Sequence, residues 1–233
     1  MSRAKRMTAR NRLRALAAVF AGAALLGPAA ALADDSGALS TTSYALVPPQ
    51  FIYCTTCHGV ELKGNISVDA PRLSGMADWY VRAQLQAFKA GRRGTHPEDL
   101  IGMEMQPQAA VLSDKDLEAA ARFVASLPAR TDAAEQTVAG DAARGKALYA
   151  TCAACHGAEG RGSQVLGAPA LTGQSDWYLL RQLEKYASGA RGYDPADTPG
   201  QQMRASVAVL TGEQDAADVV AYINTLDNQG DTP

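Results

Sequence analysis

Cys152-Ala153-Ala154-Cys155-His156 is the stretch that decides the fold, and it has a counterpart in Cys54-Thr55-Thr56-Cys57-His58. The chain has 233 residues and four cysteines, and these two segments use all four. Cys-x-x-Cys-His is the attachment pattern of c-type haem. Cysteines three residues apart share one face of a helical turn, so both sulfurs reach the two vinyl groups of one porphyrin. We therefore predict two covalently bound haem c groups, each containing iron.

The residues of each predicted haem site follow from the motif. The histidine after the second cysteine is placed to ligate the iron. The attachment residues would be Cys54, Cys57, Cys152 and Cys155, and the proximal ligands would be His58 and His156.

Other uses of such cysteines fit the sequence less well. A thiol redox pair requires a βαβ context and leaves the histidines unexplained. A zinc site would have to be built across two repeats. A disulfide between residues three apart would be strained and would close almost no loop.

The chain is a tandem duplication. A shift of 98 residues aligns 54–112 with 152–210 without a gap, and 25 of these 59 positions are identical. Between the copies lies a polar stretch, 131–140, which we interpret as a linker. This predicts a first haem domain at 34–130 and a second at 141–233.

The distal iron ligand is predicted from the same register. The first copy offers His96, Met76, Met103 and Met105, but the second offers only Met203 after its haem motif. Met105 aligns with Met203, whereas Met103 aligns with a glutamine. We therefore predict Met105 and Met203 as distal ligands, with Met103 as a minor alternative. With both axial positions filled, the iron has no open site for a substrate.

Apolar spacing indicates a mainly α fold. Val81, Leu85 and Phe88 recur at helical intervals, and the second copy repeats the stripe. Capping boxes are predicted at Thr211 with Gln214 and, more weakly, at Ser113 with Asp116.

The two copies differ at their first helix. The second copy has a helical stretch at 141–149, with Gly145 placed for close packing. The first copy has Pro48-Pro49 there, with Val47 in place of the glycine. We therefore expect the first helix of copy one to start late or to be absent.

Pro71 and Pro169 align, each 13 residues after a haem-motif histidine. We predict that the carbonyl of each proline accepts the Nδ1 proton of that histidine and fixes its orientation.

Other identical residues align between the two copies, but their role is less clear from the sequence. Arg93 and Arg191 are favoured as solvated surface residues over partners of haem propionates. Aromatic pairs at the start of one helix in each copy either line the haem or pack normally. These are Trp79, Tyr80, Trp177 and Tyr178.

Residues 1–33 resemble a cleaved secretory signal peptide. Six basic residues precede an apolar run at 15–27, and Ala31-Leu32-Ala33 forms a small-x-small cleavage site. The alternative, an uncleaved membrane anchor, is disfavoured because the run is short of the roughly 20 residues that span a bilayer. We expect export to the periplasm and no membrane span in the mature chain.

The leader holds six of the 22 basic residues and none of the 24 acidic ones, so residues 34–233 carry a net charge of −8. Each half is close to −4. This charge argues against nucleic acid as a partner and favours redox proteins with basic docking surfaces.

The residues together resemble the class I cytochromes c, and the layout is similar to the dihaem cytochrome c-four family. The haem motifs, Asp-Trp-Tyr, and the methionine before Leu-Ser or Leu-Thr carry this resemblance. It implies two tandem class I cytochrome c domains related by a pseudo-two-fold axis. It also implies a periplasmic electron carrier, not an enzyme, that works between partners such as a cytochrome bc complex and a haem-copper oxidase.

Two other functions stay open. The chain would serve as the haem c subunit of a periplasmic dehydrogenase that oxidises a sulfur compound or an alcohol. A dihaem peroxidase is the third class, and it requires an iron with an available distal position.

Overall fold

The computed structural model describes residues 47–130 and 136–227. The predicted signal peptide and residues 131–135 of the predicted linker lie outside the described residues. The exact domain boundaries stay a prediction. In the first half, a 3₁₀ turn at Pro49–Cys54 precedes helices α1 (Thr55–His58), α2 (Asp78–Lys89), α3 (Leu100–Ala110) and α4 (Asp114–Ser126). The second half has helices α5 (Ala142–His156), α6 (Asp176–Ser188), α7 (Thr198–Val207) and α8 (Asp215–Asp227).

The mainly α prediction is confirmed. Within 47–130 and 136–227 no strand forms, and the extended backbone pairs only at two isolated bridges. These bridges, Asn65 with Ala70 and Ser163 with Ala168, are 98 residues apart. The same part of the chain has no helix that is long and apolar enough to cross a membrane.

The first helix differs between the halves as the sequence predicts. In the second half, α5 packs closely on α8, because a Cβ on Gly145 would lie 1.8 Å from the Asp218 carbonyl oxygen. In the first half the helix starts late, as a 3₁₀ turn with Pro49 at its first position. Val47, which aligns with Gly145, is buried with Phe51 in a small core of its own.

One of the two predicted capping boxes is wrong. Helix α8 begins at Asp215, and the Gln214 side chain donates to the Ala139 carbonyl instead of reaching back to Thr211. The tertiary contact with the segment before α5 replaces the local one. The N-cap of the other prediction is confirmed, because the Ser113 hydroxyl accepts from the Asp116 backbone N–H at 3.1 Å, while the Asp116 carboxylate accepts from the Ser113 hydroxyl at 2.6 Å.

The end of the predicted linker is bound to the second half. The buried carboxylate of Asp176 accepts the Thr137 N–H at 2.6 Å, the Thr137 hydroxyl at 2.7 Å and the Val138 N–H at 2.9 Å. Burial alone would raise the pKa of Asp176, but bonds from Thr137, Val138 and Trp177 outweigh it and hold this pKa below its usual value.

Asp176→Asn tests this attachment. We expect the free energy of unfolding at pH 7 to fall by about 2 kcal/mol or more, because a buried charged acceptor is lost. Since the folded pKa is depressed, the contribution is present above the unfolded carboxyl pKa of about 3.9 and disappears as the pH falls through the folded value. Denaturant titrations of the haem-loaded protein between pH 7 and about pH 3 measure this.

Asp78→Asn is the matched control for that variant. Asp78 aligns with Asp176, but its side chain is 45% exposed and pairs with Arg82. Its replacement should cost less than about 1 kcal/mol. Equal losses in the two variants would contradict the assignment.

Candidate haem sites

Both histidines that we predict as proximal ligands are buried, and each contacts the predicted proline. His58 ends α1, and its Nδ1 lies 2.8 Å from the Pro71 carbonyl oxygen. His156 ends α5, and its Nδ1 lies 2.8 Å from the Pro169 carbonyl oxygen. The sequence prediction of this contact is confirmed. A carbonyl can only accept, so Nδ1 carries the proton and the Nε2 lone pair is free to bind a metal.

Burial favours the neutral form of these rings. It lowers the pKa of His58 and of His156, and the hydrogen bond to the proline carbonyl offsets this only in part. A neutral imidazole is the form that ligates iron.

In each half, the backbone of a glycine lies very close to the backbone that follows the proline, and this contact places the proline carbonyl beside the histidine. A Cβ on Gly162 would lie 2.5 Å from the Ala170 backbone nitrogen, and one on Gly64 would lie 2.7 Å from the Arg72 nitrogen. Each glycine also has a positive φ, and its N–H donates to the carbonyl of the haem-motif histidine. The loop can therefore fold back onto the end of the helix only with glycine at these positions.

The four cysteines are unpaired. In each motif the first cysteine is half-buried, and the second is exposed at the protein surface. Burial raises the pKa of Cys54 and of Cys152. Within the described ranges, no three His, Cys, Asp or Glu side chains cluster as a zinc site would require.

The predicted distal ligands lie on equivalent helices. Met105 is half-buried on α3, and Met203 is half-buried on α7 against the core of the second half. Met103 is 45% exposed, and Met76 packs against the core of the first half. Burial therefore favours Met105 over Met103, and its role as a ligand stays a prediction.

The expectation that Arg93 and Arg191 are surface residues is wrong. Both are buried where the two halves meet, 8% and 5% exposed. Arg93 donates to Gln84 in its own half, and across the interface to the Tyr178 hydroxyl at 3.0 Å. Arg191 donates to Gln182 in its own half, and across the interface to the Tyr80 hydroxyl at 3.3 Å.

This arrangement, which we call the arginine cluster, contains Gln84, Arg93, Gln182, Arg191 and the hydroxyls of Tyr80 and Tyr178. It obeys the pseudo-two-fold symmetry, because each arginine also reaches the glutamine of the other half. Burial alone would raise the pKa of Tyr178, but the charges of Arg93 and Arg191 outweigh it and lower this pKa.

Sequence reasoning missed the cluster although a signal was present. All six residues are identical in the two copies, including the two tyrosines that we had assigned to haem lining or ordinary packing. Identity in both copies is expected of residues that meet across a two-fold axis, because each position is used twice.

The arginine cluster fits a group with negative charge. The partners of Arg93 and Arg191 are neutral, and each Nε atom is buried without a hydrogen-bond partner. Buried cations are normally paired with anions. A haem carries two propionates, so the orphaned donors of the described residues match the predicted cofactor.

Comparisons with known proteins agree with this geometry. The family model for cytochrome c matches residues 51–128 and 142–227. The chain is 38% identical over 194 residues to the thiosulfate dehydrogenase electron acceptor of Stutzerimonas stutzeri (strain A1501), which covers 78% of this chain and 84% of that protein. It is 32% identical over 186 residues to cytochrome c4 of Stutzerimonas stutzeri, and that match covers 74% of this chain and 84% of that protein.

A solved structure, reduced recombinant cytochrome c4 from Pseudomonas stutzeri, matches with a TM-score of 0.59 at 28% identity. The match covers 75% of this chain and 94% of that chain.

Arg93→Gln and Arg191→Gln test the electrostatic role of the cluster. A buried cation stabilises the reduced, less positive haem, so each variant should lower a reduction potential by about 50 mV. Spectroelectrochemical titration measures both haems. Arg92→Gln is the control, because it removes the same charge from a residue that is only partly buried. A shift in the control as large as in the variants would contradict the prediction.

Proposed function

The chain belongs to the cytochrome c family, as a dihaem electron-transfer protein with two covalently bound haem c groups, and we propose that it carries single electrons between respiratory complexes in the periplasm. The observation that carries this proposal is the duplicated site. Each half presents a buried histidine with its Nε2 free and a methionine in the same register.

The proposal assigns each site residue one role. The haem supplies one-electron chemistry when it is bound. Cys54 and Cys57 would attach the first haem, and Cys152 and Cys155 the second. The axial ligands would be His58 with Met105 and His156 with Met203.

The remaining residues hold the site rather than react. Pro71 and Pro169 orient the imidazoles, and α3 and α7 present the thioethers. His/Met ligation raises the reduction potential and leaves no coordination position for a substrate. This favours electron transfer over catalysis at the iron.

We propose that the partners are redox proteins with basic docking surfaces. The support is the net charge of −8 over residues 34–233, shared evenly by the two halves. A cytochrome bc complex as donor and a haem-copper oxidase as acceptor fit the proposal. Delivery to the periplasm rests on the signal-peptide pattern in residues 1–33.

A second candidate function is the electron acceptor of a periplasmic dehydrogenase, held in a stable complex. One relative, at 38% identity, is named a thiosulfate dehydrogenase electron acceptor. Purification from the native host separates the two functions. A free carrier purifies alone, whereas a complex subunit purifies with a flavin, quinone or molybdenum protein.

Met105→Ala and Met203→Ala test the distal ligands. We expect each to abolish the methionine-to-iron charge-transfer band of one haem and to leave the other intact, because each thioether serves one iron. Visible spectra of the oxidised protein, together with haem stoichiometry, measure this. Met103→Ala and Met76→Ala are controls that should retain both bands. If Met103→Ala removes a band and Met105→Ala does not, the register argument is wrong.

Electron transfer to a basic redox protein should depend strongly on salt. We expect the bimolecular rate constant to fall about tenfold or more between roughly 10 mM and 200 mM ionic strength, because steering between opposite charges is screened. Stopped-flow mixing measures it, with an acidic redox protein of similar potential as the control. A rate constant that is insensitive to salt with the basic partner would contradict electrostatic docking.

A further inference from the structure

Helix α6 of the second half reaches into the first half with one face. Arg181 and Lys185, one helical turn apart, form ion pairs with Asp69 and Asp99 of the first half. Just before α6, the Gln174 side chain donates to the Arg72 carbonyl at 3.0 Å.

The first half makes no equivalent polar contacts to the second half through the aligned residues. At a shift of 98 residues, the counterparts of Gln174, Arg181 and Lys185 in the first half are Met76, Ala83 and Ala87. None of these side chains can form the corresponding polar contact. In the second half, Asp197 aligns with Asp99, and no described lysine or arginine forms an ion pair with it. The contacts therefore break the symmetry that the arginine cluster obeys.

The contacted residues belong to the two segments that present axial ligands in the first half. Asp69 and Arg72 flank Ala70-Pro71, and the Pro71 carbonyl accepts from His58 Nδ1. Asp99 is the N-cap of α3, the helix that carries Met105, and its carboxylate accepts the Gly102 N–H at 2.9 Å.

Asp99 occupies a position that is costly without a cation, and Asp69 has a backbone conformation that few residues other than glycine adopt. Asp69 has a φ of 54°, where the second half has Gly167. A left-handed backbone is unfavourable for a residue with a Cβ. Asp99 is 1% exposed, and a buried carboxylate is strongly destabilising once its cation is removed.

The first half is also the half with the weaker framework of its own. Its haem motif begins at the end of a 3₁₀ turn and forms a helix of only four residues, whereas the haem motif of the second half is the end of α5, which has 15 residues. An external contact to the ligand segments is therefore needed in the first half more than in the second.

We propose that Arg181 and Lys185 are positioning residues for the first haem: the second domain fixes the proximal loop and the methionine helix of the first. This inference rests on the proposed ligands His58 and Met105. It makes the first axial bond dependent on the second domain, with no dependence in the reverse direction.

The test is the double variant Arg181→Ala/Lys185→Ala in the full-length dihaem protein. These substitutions introduce the residues that the first copy has at the aligned positions. Added imidazole, which competes with methionine for ferric iron, should bind the first haem at least about tenfold more tightly, because removing one partner of a buried ion pair is costly. The second haem should be unchanged. Paramagnetically shifted methionine methyl resonances of the oxidised protein follow each haem separately during the imidazole titration.

Two further variants serve as controls. Lys146→Ala/Arg161→Ala removes the same charge from exposed positions of the second half, where Arg161 pairs with Glu159. It should leave both haems unchanged. Arg181→Lys/Lys185→Arg keeps both ion pairs and should restore wild-type imidazole binding. Lys185→Ala alone provides a milder variant if the double variant is poorly folded.

The outcomes separate this inference from the ligand assignment. The positioning role is refuted if imidazole binding changes equally at both haems or changes at neither. It is also refuted if the charge control changes imidazole binding at the first haem. If Met105→Ala leaves the first methionine resonance intact, the ligand assignment fails instead.

Discussion

The hydrogen bond from a buried histidine to a proline carbonyl is the constraint on which each haem site depends. Gly64 and Gly162 let the loop fold back on the haem motif, and that return places Pro71 and Pro169 beside the imidazoles. The carbonyl fixes the tautomer, so Nε2 keeps a lone pair that can bind a metal. In the proposed site, α3 and α7 would present a thioether to the same iron.

Two buried arginine charges lie where the halves meet, and neither forms an ion pair with a carboxylate of the described residues. Arg93 and Arg191 are held by glutamine amides and tyrosine hydroxyls, and each is also stacked on an aromatic ring of its own half. Such a cluster is stable only with a negative group nearby. Haem propionates would supply that charge, which would couple folding of the interface to loading of the cofactor. The same cofactor would fill cores that are expected to be thin in a chain with only 6% aromatic residues.

The two halves share a fold, but the contacts that hold them differ. Symmetric contacts in the arginine cluster join them, and asymmetric ones from α6 act on the first half alone. The second half has a full first helix packed on α8, while the first half has a 3₁₀ turn. Two haems in such unequal surroundings are expected to differ in reduction potential, which gives electron flow between them a direction.

The sequence by itself determined the features that depend on local spacing. These are the two haem motifs, the repeat of 98 residues, the helices, the late start of the first one, and the prolines that meet His58 and His156. Only the tertiary structure decided that Arg93 and Arg191 are buried, that Gln214 bonds to Ala139, and that α6 contacts the first half. Those contacts join residues 75 to 112 positions apart, and no local periodicity encodes the packing that brings such residues together.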